Sequence, residues 1–160
     1  MRWVLSVLFR VMKFRLIDQV IAQEPRSIVA VKNVTEAEEY LSDHFPSFPV
    51  LPGVMMVEAM VQAARLLLEP THSRQVLGSI RALRYGSFVR PGEALRVEVE
   101  WMKTSEDGIH TFRGESKVMP LGAAIEDLDT AVSGRFTMRP LRTERCRPTL
   151  DVESSVVGRS

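Results

Sequence analysis

Cysteine is almost absent. Cys146 stands alone in 160 residues, so no intramolecular disulfide can form, a disulfide-stapled secreted scaffold is excluded, and a reducing cytoplasm is the simplest compartment. Long apolar runs are missing too: none approaches the ~20 residues needed to cross a bilayer. Charge of one sign is also lacking, because 21 basic residues face 20 acidic ones. A net charge of +1 gives nucleic-acid binding no support. His44, His72 and His110 are the only histidines, and no two stand at metal-ligand spacing, so no zinc site is expected. A G-x-S-x-G elbow, a phosphate loop and a dinucleotide fingerprint are all missing, which removes serine hydrolases, P-loop enzymes and nicotinamide enzymes. There is no internal repeat.

What is present fits one ordinary globular domain, with 45% apolar and 26% charged residues. The charge is unevenly spread: residues 1–15 hold Arg2, Arg10, Lys13 and Arg15 without an acid, while residues 16–140 hold 13 bases and 17 acids. In residues 1–13 a short apolar run, Trp3 to Phe9, is closed by Arg10. It is too short for a signal peptide and lacks a small-residue cleavage site, so it reads first as a packed or partner-contacting helix and second as a peripheral membrane contact. At the other end residues 140–160 form a polar tail, leaving residues 14–139 as the domain.

Hydrophobic periodicity organises that domain. Leu16 to Ile21 and Ser27 to Val34 are strand-like runs separated by the turn signal Glu24-Pro25-Arg26. Thr35 to Asp43 reads as a short surface helix or loop. His44 to Gly53, HFPSFPVLPG, carries three prolines that remove amide donors and fix backbone dihedrals, so it is an ordered loop. Val54 to Leu68 then contains no proline or glycine and is apolar on most of its circumference, which predicts a helix wrapped by other elements. Gln75 to Phe88, Ala94 to Thr104, His110 to Val118 and Ala131 to Met138 read as antiparallel strands, with Pro120 to Asp129 an acidic loop. The fold class is α+β: a curved antiparallel sheet of five to six strands around one long central helix.

Two titratable residues stand out. Glu58 lies in the second turn of that helix; in apolar surroundings a carboxyl group favours its protonated form and can serve as a general acid. His44 precedes the rigid loop, and a neutral imidazole can serve as the base. Gly53 marks the helix start, whose unpartnered amides can polarise a carbonyl oxygen. Base, acid and polariser suit removal of a proton next to a carbonyl with loss of a β-hydroxyl as water. The bland reading is equally open at this point: Glu58, Gln62, Arg65 and Glu69 fall on one stripe, which could be a narrow solvated face. A histidine before a proline-rich loop is more often a structural residue than a catalyst. His72 and His110 read as structural, and Met55, Met56 and Met60 as core filler.

His44-Phe45-Pro46, Pro49, Pro52-Gly53-Val54, Glu58-Ala59-Met60 and Gln62-Ala63 resemble the signature of the 3-hydroxyacyl-acyl carrier protein dehydratases of the FabZ type. Phe14 to Val20, Ser27 to Val34, and Arg84-Tyr85 with Pro91-Gly92 extend the resemblance over residues 14–139. The resemblance implies a hotdog fold, with two protomers joining their sheets in a homodimer, and a trimer of dimers as the larger assembly the family allows. It also implies an enzyme without metal or redox cofactor, acting on a 3-hydroxyacyl chain on the phosphopantetheine arm of acyl carrier protein. By the same resemblance His44 of one subunit and Glu58 of its neighbour face the substrate, and the Gly53 amide holds the thioester oxygen. Phe45, Val54 and Gln62 would line the substrate tunnel. Arg84 and Arg90 are candidates for docking the acidic carrier protein. Two residues depart from the family pattern: Ser47 stands where glycine is usual, and Val76 where many members carry a tyrosine gating the tunnel. A hotdog acyl thioesterase and a non-catalytic acyl or carrier-protein binding module are the competing readings.

Overall fold

The computed structural model describes residues 14–68, 74–120, 122, 124 and 128–141. The expectations for residues 1–13, His72, Cys146, residues 142–160 and much of the acidic loop after Pro120 lie outside the described residues.

Gly53–Leu68 is the one α-helix among the described residues, α1. Its start follows from Pro52: the proline carbonyl accepts the Met55 and Met56 amides, at 2.9 and 3.2 Å, and so caps the first turn. Nine of its residues, from Met56 to Leu68, are buried and surround most of the axis. Ala59, Ala63 and Ala64 are fully enclosed; such small side chains let the helix approach the sheet closely.

Six antiparallel strands form one sheet around it. They are β1 (Gln19–Glu24), β2 (Ser27–Asn33), β3 (Gln75–Tyr85), β4 (Ala94–Thr104), β5 (His110–Met119) and β6 (Thr130–Pro140). Their spatial order is β1-β2-β4-β5-β6-β3, so β1 and β3 are the two edges. Strict alternation in β4 and β5 turns Leu95, Val97, Val99, Phe112 and Val118 inward, and β6 adds Val132, Phe136 and Met138. Helix α1 packs against β2, β3, β4, β5 and β6. This is the α+β hotdog architecture expected, with the helix wrapped by the sheet.

The first strand begins later than the expected Leu16 to Ile21. Leu16 and Ile17 are buried in the core, and the ladder opens only where the Asp18 amide donates to Val31 O at 2.9 Å and the Asp18 carboxylate accepts the Asn33 amide at 2.7 Å. Apolar side chains here serve a core-filling lead-in, while β1 itself is exposed along its whole length. The third strand also stops short of Phe88, at Tyr85, because Gly86 and Ser87 turn to donate their amides to Ala131 O and Thr130 O, both at 2.9 Å. Edge strand β3 shifts register between Arg81 and Arg84, where Ala82 has a positive φ of 52°.

Candidate functional site

The proline-rich loop is pinned by backbone hydrogen bonds, within itself and to the segment that follows β3. Phe45 and Phe48 exchange amide-to-carbonyl bonds of 3.2 and 2.9 Å, Val50 N donates to His44 O at 3.0 Å, and Leu51 N donates to Val89 O at 2.8 Å. Ser47 sits inside this tight turn without a positive φ, Ala82 being the only non-glycine residue with one among the described residues. A serine therefore replaces glycine here without backbone strain.

The loop fixes the His44 ring. Nδ1 lies 3.0 Å from Val50 O, and the ring stacks on Phe45 with centroids 4.3 Å apart. A carbonyl oxygen can only accept, so Nδ1 carries the hydrogen and Nε2 is left with the lone pair. Half-buried, this imidazole can accept a proton at Nε2.

His44 opens onto a cavity of about 380 Å³ lined by Phe45, Val50, Leu51, Gly53, Val54, Met56, Tyr85, Gly86, Ser87, Phe88 and Ala131. The lining is apolar, and its volume is that of a small-ligand site. The start of α1 forms one wall, where the first amides, those of Gly53 and Val54, have no intrahelical acceptor. Tyr85 closes over Gly53: a Cβ there would lie 2.6 Å from the ring. Of the residues expected to line a tunnel, Phe45 and Val54 do so and are exposed at its mouth, Val54 by 70%.

Glu58 and Gln62 are on a different part of the helix surface. The expectation that Glu58 sits in apolar surroundings is not met within the protomer: its side chain is 31% exposed and pairs with Arg65, Nη1 to Oε1 at 3.2 Å. Gln62 Nε2 donates to the same oxygen at 3.1 Å. The reason is the helical period, which sets residues 58, 62 and 65 on one polar stripe. Gln62 lines a separate cavity with Phe14, Arg15, Ile17, Arg65 and Leu66, so neither it nor Glu58 borders the His44 cavity of its own chain.

Arg84 is exposed at the end of β3 opposite Ser133. Arg90 lies 4.8 Å over the Phe48 ring, which meets Phe88 edge-on at 5.8 Å; it lines a neighbouring cavity that shares Ser87 and Phe88 with the His44 cavity but is not itself among the residues lining the latter. Val76 is half-buried opposite Arg139 and does not touch that cavity. Tyr85 and Phe88 are the aromatic walls instead. Sequence reasoning missed them as lining residues, although Tyr85 was visible beside Arg84 in the matching motif. His110 is buried and bonded through Nδ1 to Thr104 Oγ1 at 2.8 Å, a structural role. Among the described residues no three His, Cys, Asp or Glu side chains group closely enough to hold a metal ion, and no helix is long and apolar enough to cross a membrane.

Comparison with known proteins agrees with this architecture. The ApeI-like family, described as ApeI dehydratase, matches residues 20–121. The 3-hydroxyacyl-[acyl-carrier-protein] dehydratase FabZ of Pediococcus pentosaceus is 40% identical over 110 residues, covering 63% of this chain and 74% of that protein. The FabZ of Ruminiclostridium cellulolyticum is 38% identical over 120 residues, covering 65% and 84%. Among solved structures, the dehydratase heterocomplex ApeI:P from Xenorhabdus doucetiae superposes with a TM-score of 0.53 at 24% identity, over 76% of this chain and 96% of that one. A hypothetical thioesterase with coenzyme A from Streptococcus pneumoniae superposes with a TM-score of 0.56 at 11% identity, over 75% and 82%. With a helix-wrapping sheet, an imidazole beside a helix start and these relatives, the chain belongs to the FabZ and ApeI-like family of hotdog dehydratases.

Proposed function

We propose that this protein dehydrates 3-hydroxyacyl chains carried on acyl carrier protein to the trans-2-enoyl thioester, as a step of fatty-acid or related acyl-chain synthesis. The observation that carries this reading is His44: its ring is held at Nδ1 by Val50 O, with Nε2 free beside an apolar cavity and a helix start. In this reading Nε2 removes a proton from C2 of the substrate while the Gly53 amide polarises the thioester oxygen. The electron pair from the C–H bond forms the C2=C3 double bond. The C3–O bond breaks, and the departing hydroxyl takes a proton from Glu58 to leave as water. Proton transfer from the imidazolium back to the carboxylate, through solvent, resets the pair.

Within one chain Glu58 does not border the His44 cavity, so the site is shared: Glu58 of a second copy faces the cavity of the first. The second copy joins along edge strand β3, whose exposed residues include Ile80 and Tyr85, the latter lining the His44 cavity together with exposed Phe88, Val54 and Phe45. A bare apolar edge of this kind is a pairing surface. Arg84 and Arg90, both exposed, offer positive charge to an acidic carrier protein.

The test is incubation of the purified protein with 3-hydroxyacyl and enoyl carrier-protein thioesters, following enoyl absorbance and free-thiol release together. Interconversion that falls at least about 100-fold in His44→Ala and in Glu58→Gln is expected, the scale of losing one positioned base or acid. Thiol release without interconversion would make the protein a thioesterase, and neither signal would leave a binding module.

A further inference from the structure

Glu58 carries two oxygens, and they are treated differently. Oε1 accepts from Gln62 Nε2 at 3.1 Å and from Arg65 Nη1 at 3.2 Å; Oε2 has no partner among the described residues. The Gln62 amide is fixed in this sense, because its Oε1 accepts the Leu16 amide at 2.8 Å and its Nε2 also donates to Phe14 O at 3.1 Å. Arg65 is fixed as well: its Nε donates to Gln75 O, at the start of β3, at 3.2 Å. Glu58 and Arg65 are both about one-third exposed, and an ion pair that wet adds little to stability. Its consequence is orientation.

We propose that Arg65 is a positioning residue for the dehydration: with Gln62 it occupies both lone-pair directions of Glu58 Oε1, so the proton given to the leaving hydroxyl is carried on Oε2. A hydrogen on Oε1 would point at two N–H donors, whereas Oε2 has none against it. The clamp also ties the acid to β3, the edge along which the second copy joins, and so aligns Oε2 with the neighbour's cavity. The inference rests on the reading of Glu58 as the acid and goes beyond it, naming the oxygen and what selects it. Arg65 is away from the cavity lining, so its loss is felt in the chemical step rather than in substrate binding.

The experiment measures kcat and KM on a carrier-linked 3-hydroxyacyl thioester for Arg65→Met, Arg65→Lys, Glu58→Gln and the double variant Glu58→Gln/Arg65→Met, with circular dichroism to verify folding. Arg65→Met is expected to lower kcat about 10- to 100-fold, the effect of a misdirected catalytic group, with KM within about 3-fold of wild type. Arg65→Lys should be intermediate, because lysine keeps the charge but cannot also hold Gln75 O in the same fork. In the Glu58→Gln background, Arg65→Met should cost no more than about 2-fold further. Full turnover in Arg65→Met, or the same loss with and without Glu58, overturns the inference while leaving Glu58 as the acid. Full turnover in Glu58→Gln overturns that assignment and this inference together. Should Arg65→Met fail to fold, Arg65→Lys decides: reduced kcat at unchanged KM supports the clamp, and wild-type kcat overturns it.

Discussion

Two glycines show how much depends on what a single hydrogen leaves room for. At Gly53 a methyl group would meet the Tyr85 ring at 2.6 Å, but that ring is 54% exposed and can swing outward. At Gly86 a methyl group would lie 2.2 Å from Thr130 O, a backbone atom of β6 that cannot move away. Gly53→Ala is therefore expected to lower stability by less than about 1 kcal/mol while raising KM several-fold, because the displaced Tyr85 reshapes the cavity wall. Gly86→Ala should cost about 2 to 3 kcal/mol, at the upper end for overpacking. Thermal unfolding beside steady-state kinetics checks both; equal destabilisation by the two substitutions would mean that Tyr85 is not free to move. At His44 the sequence supplied the residue and the fold supplied its tautomer, since Val50 O is brought to Nδ1 only by the loop's reversal.

At the scale of elements, the segment between β2 and the His44 loop is held by a small charged cluster. Lys32 is 4% exposed and reaches Glu38 at 3.0 Å, while the Tyr40 hydroxyl donates to the other oxygen of Glu38. Burial first, then the bond to Glu38 and the charges of Glu38 and Asp18, push the Tyr40 phenol well above its ordinary 10.0. Its contribution to stability is whole below pH 10.0 and is lost as pH rises beyond that value, because the unfolded phenol ionises while the folded one keeps its proton. Wild type should thus lose stability above pH 10.0 faster than Tyr40→Phe, by up to about 1.4 kcal/mol per pH unit. Denaturant midpoints of the two proteins across that range are the measurement, and parallel curves would deny the cluster its role. The 3-10 turn Glu39–Leu41 inside this segment meets the expectation of a short helix or loop. What could not be read from the residues was that Lys32, on a strand, would be the partner that holds it.

For the whole molecule the edges decide the assembly. Edge strand β3 leaves Ile80, Tyr85 and the neighbouring Phe88 in solvent, and the proposed pairing with a second β3 would cover them. Sedimentation should give twice the 18.1 kDa chain mass, and Ile80→Glu should yield monomers that have lost activity. A shared site also predicts complementation. Mixed dimers of His44→Ala and Glu58→Gln chains contain one intact site each, so an exchanged equal mixture should recover about a quarter of wild-type activity. Exchange without recovery would mean that His44 and Glu58 do not meet across subunits.

The sequence by itself determined the central helix, from Pro52-Gly53 to Leu68, and the inward alternation of β4 and β5, because proline chemistry and hydrophobic period act locally. It also offered the candidate pair, an imidazole before a proline-rich loop and a carboxyl group one turn into a helix. Only the tertiary structure decided that Leu16 and Ile17 fill the core instead of extending β1, since their burial depends on the helix above them. It alone put β3 beside β6 and turned Tyr85 and Phe88 into cavity walls. Those outcomes follow from contacts between segments distant in the chain, and a periodicity records which face is buried without recording what covers it.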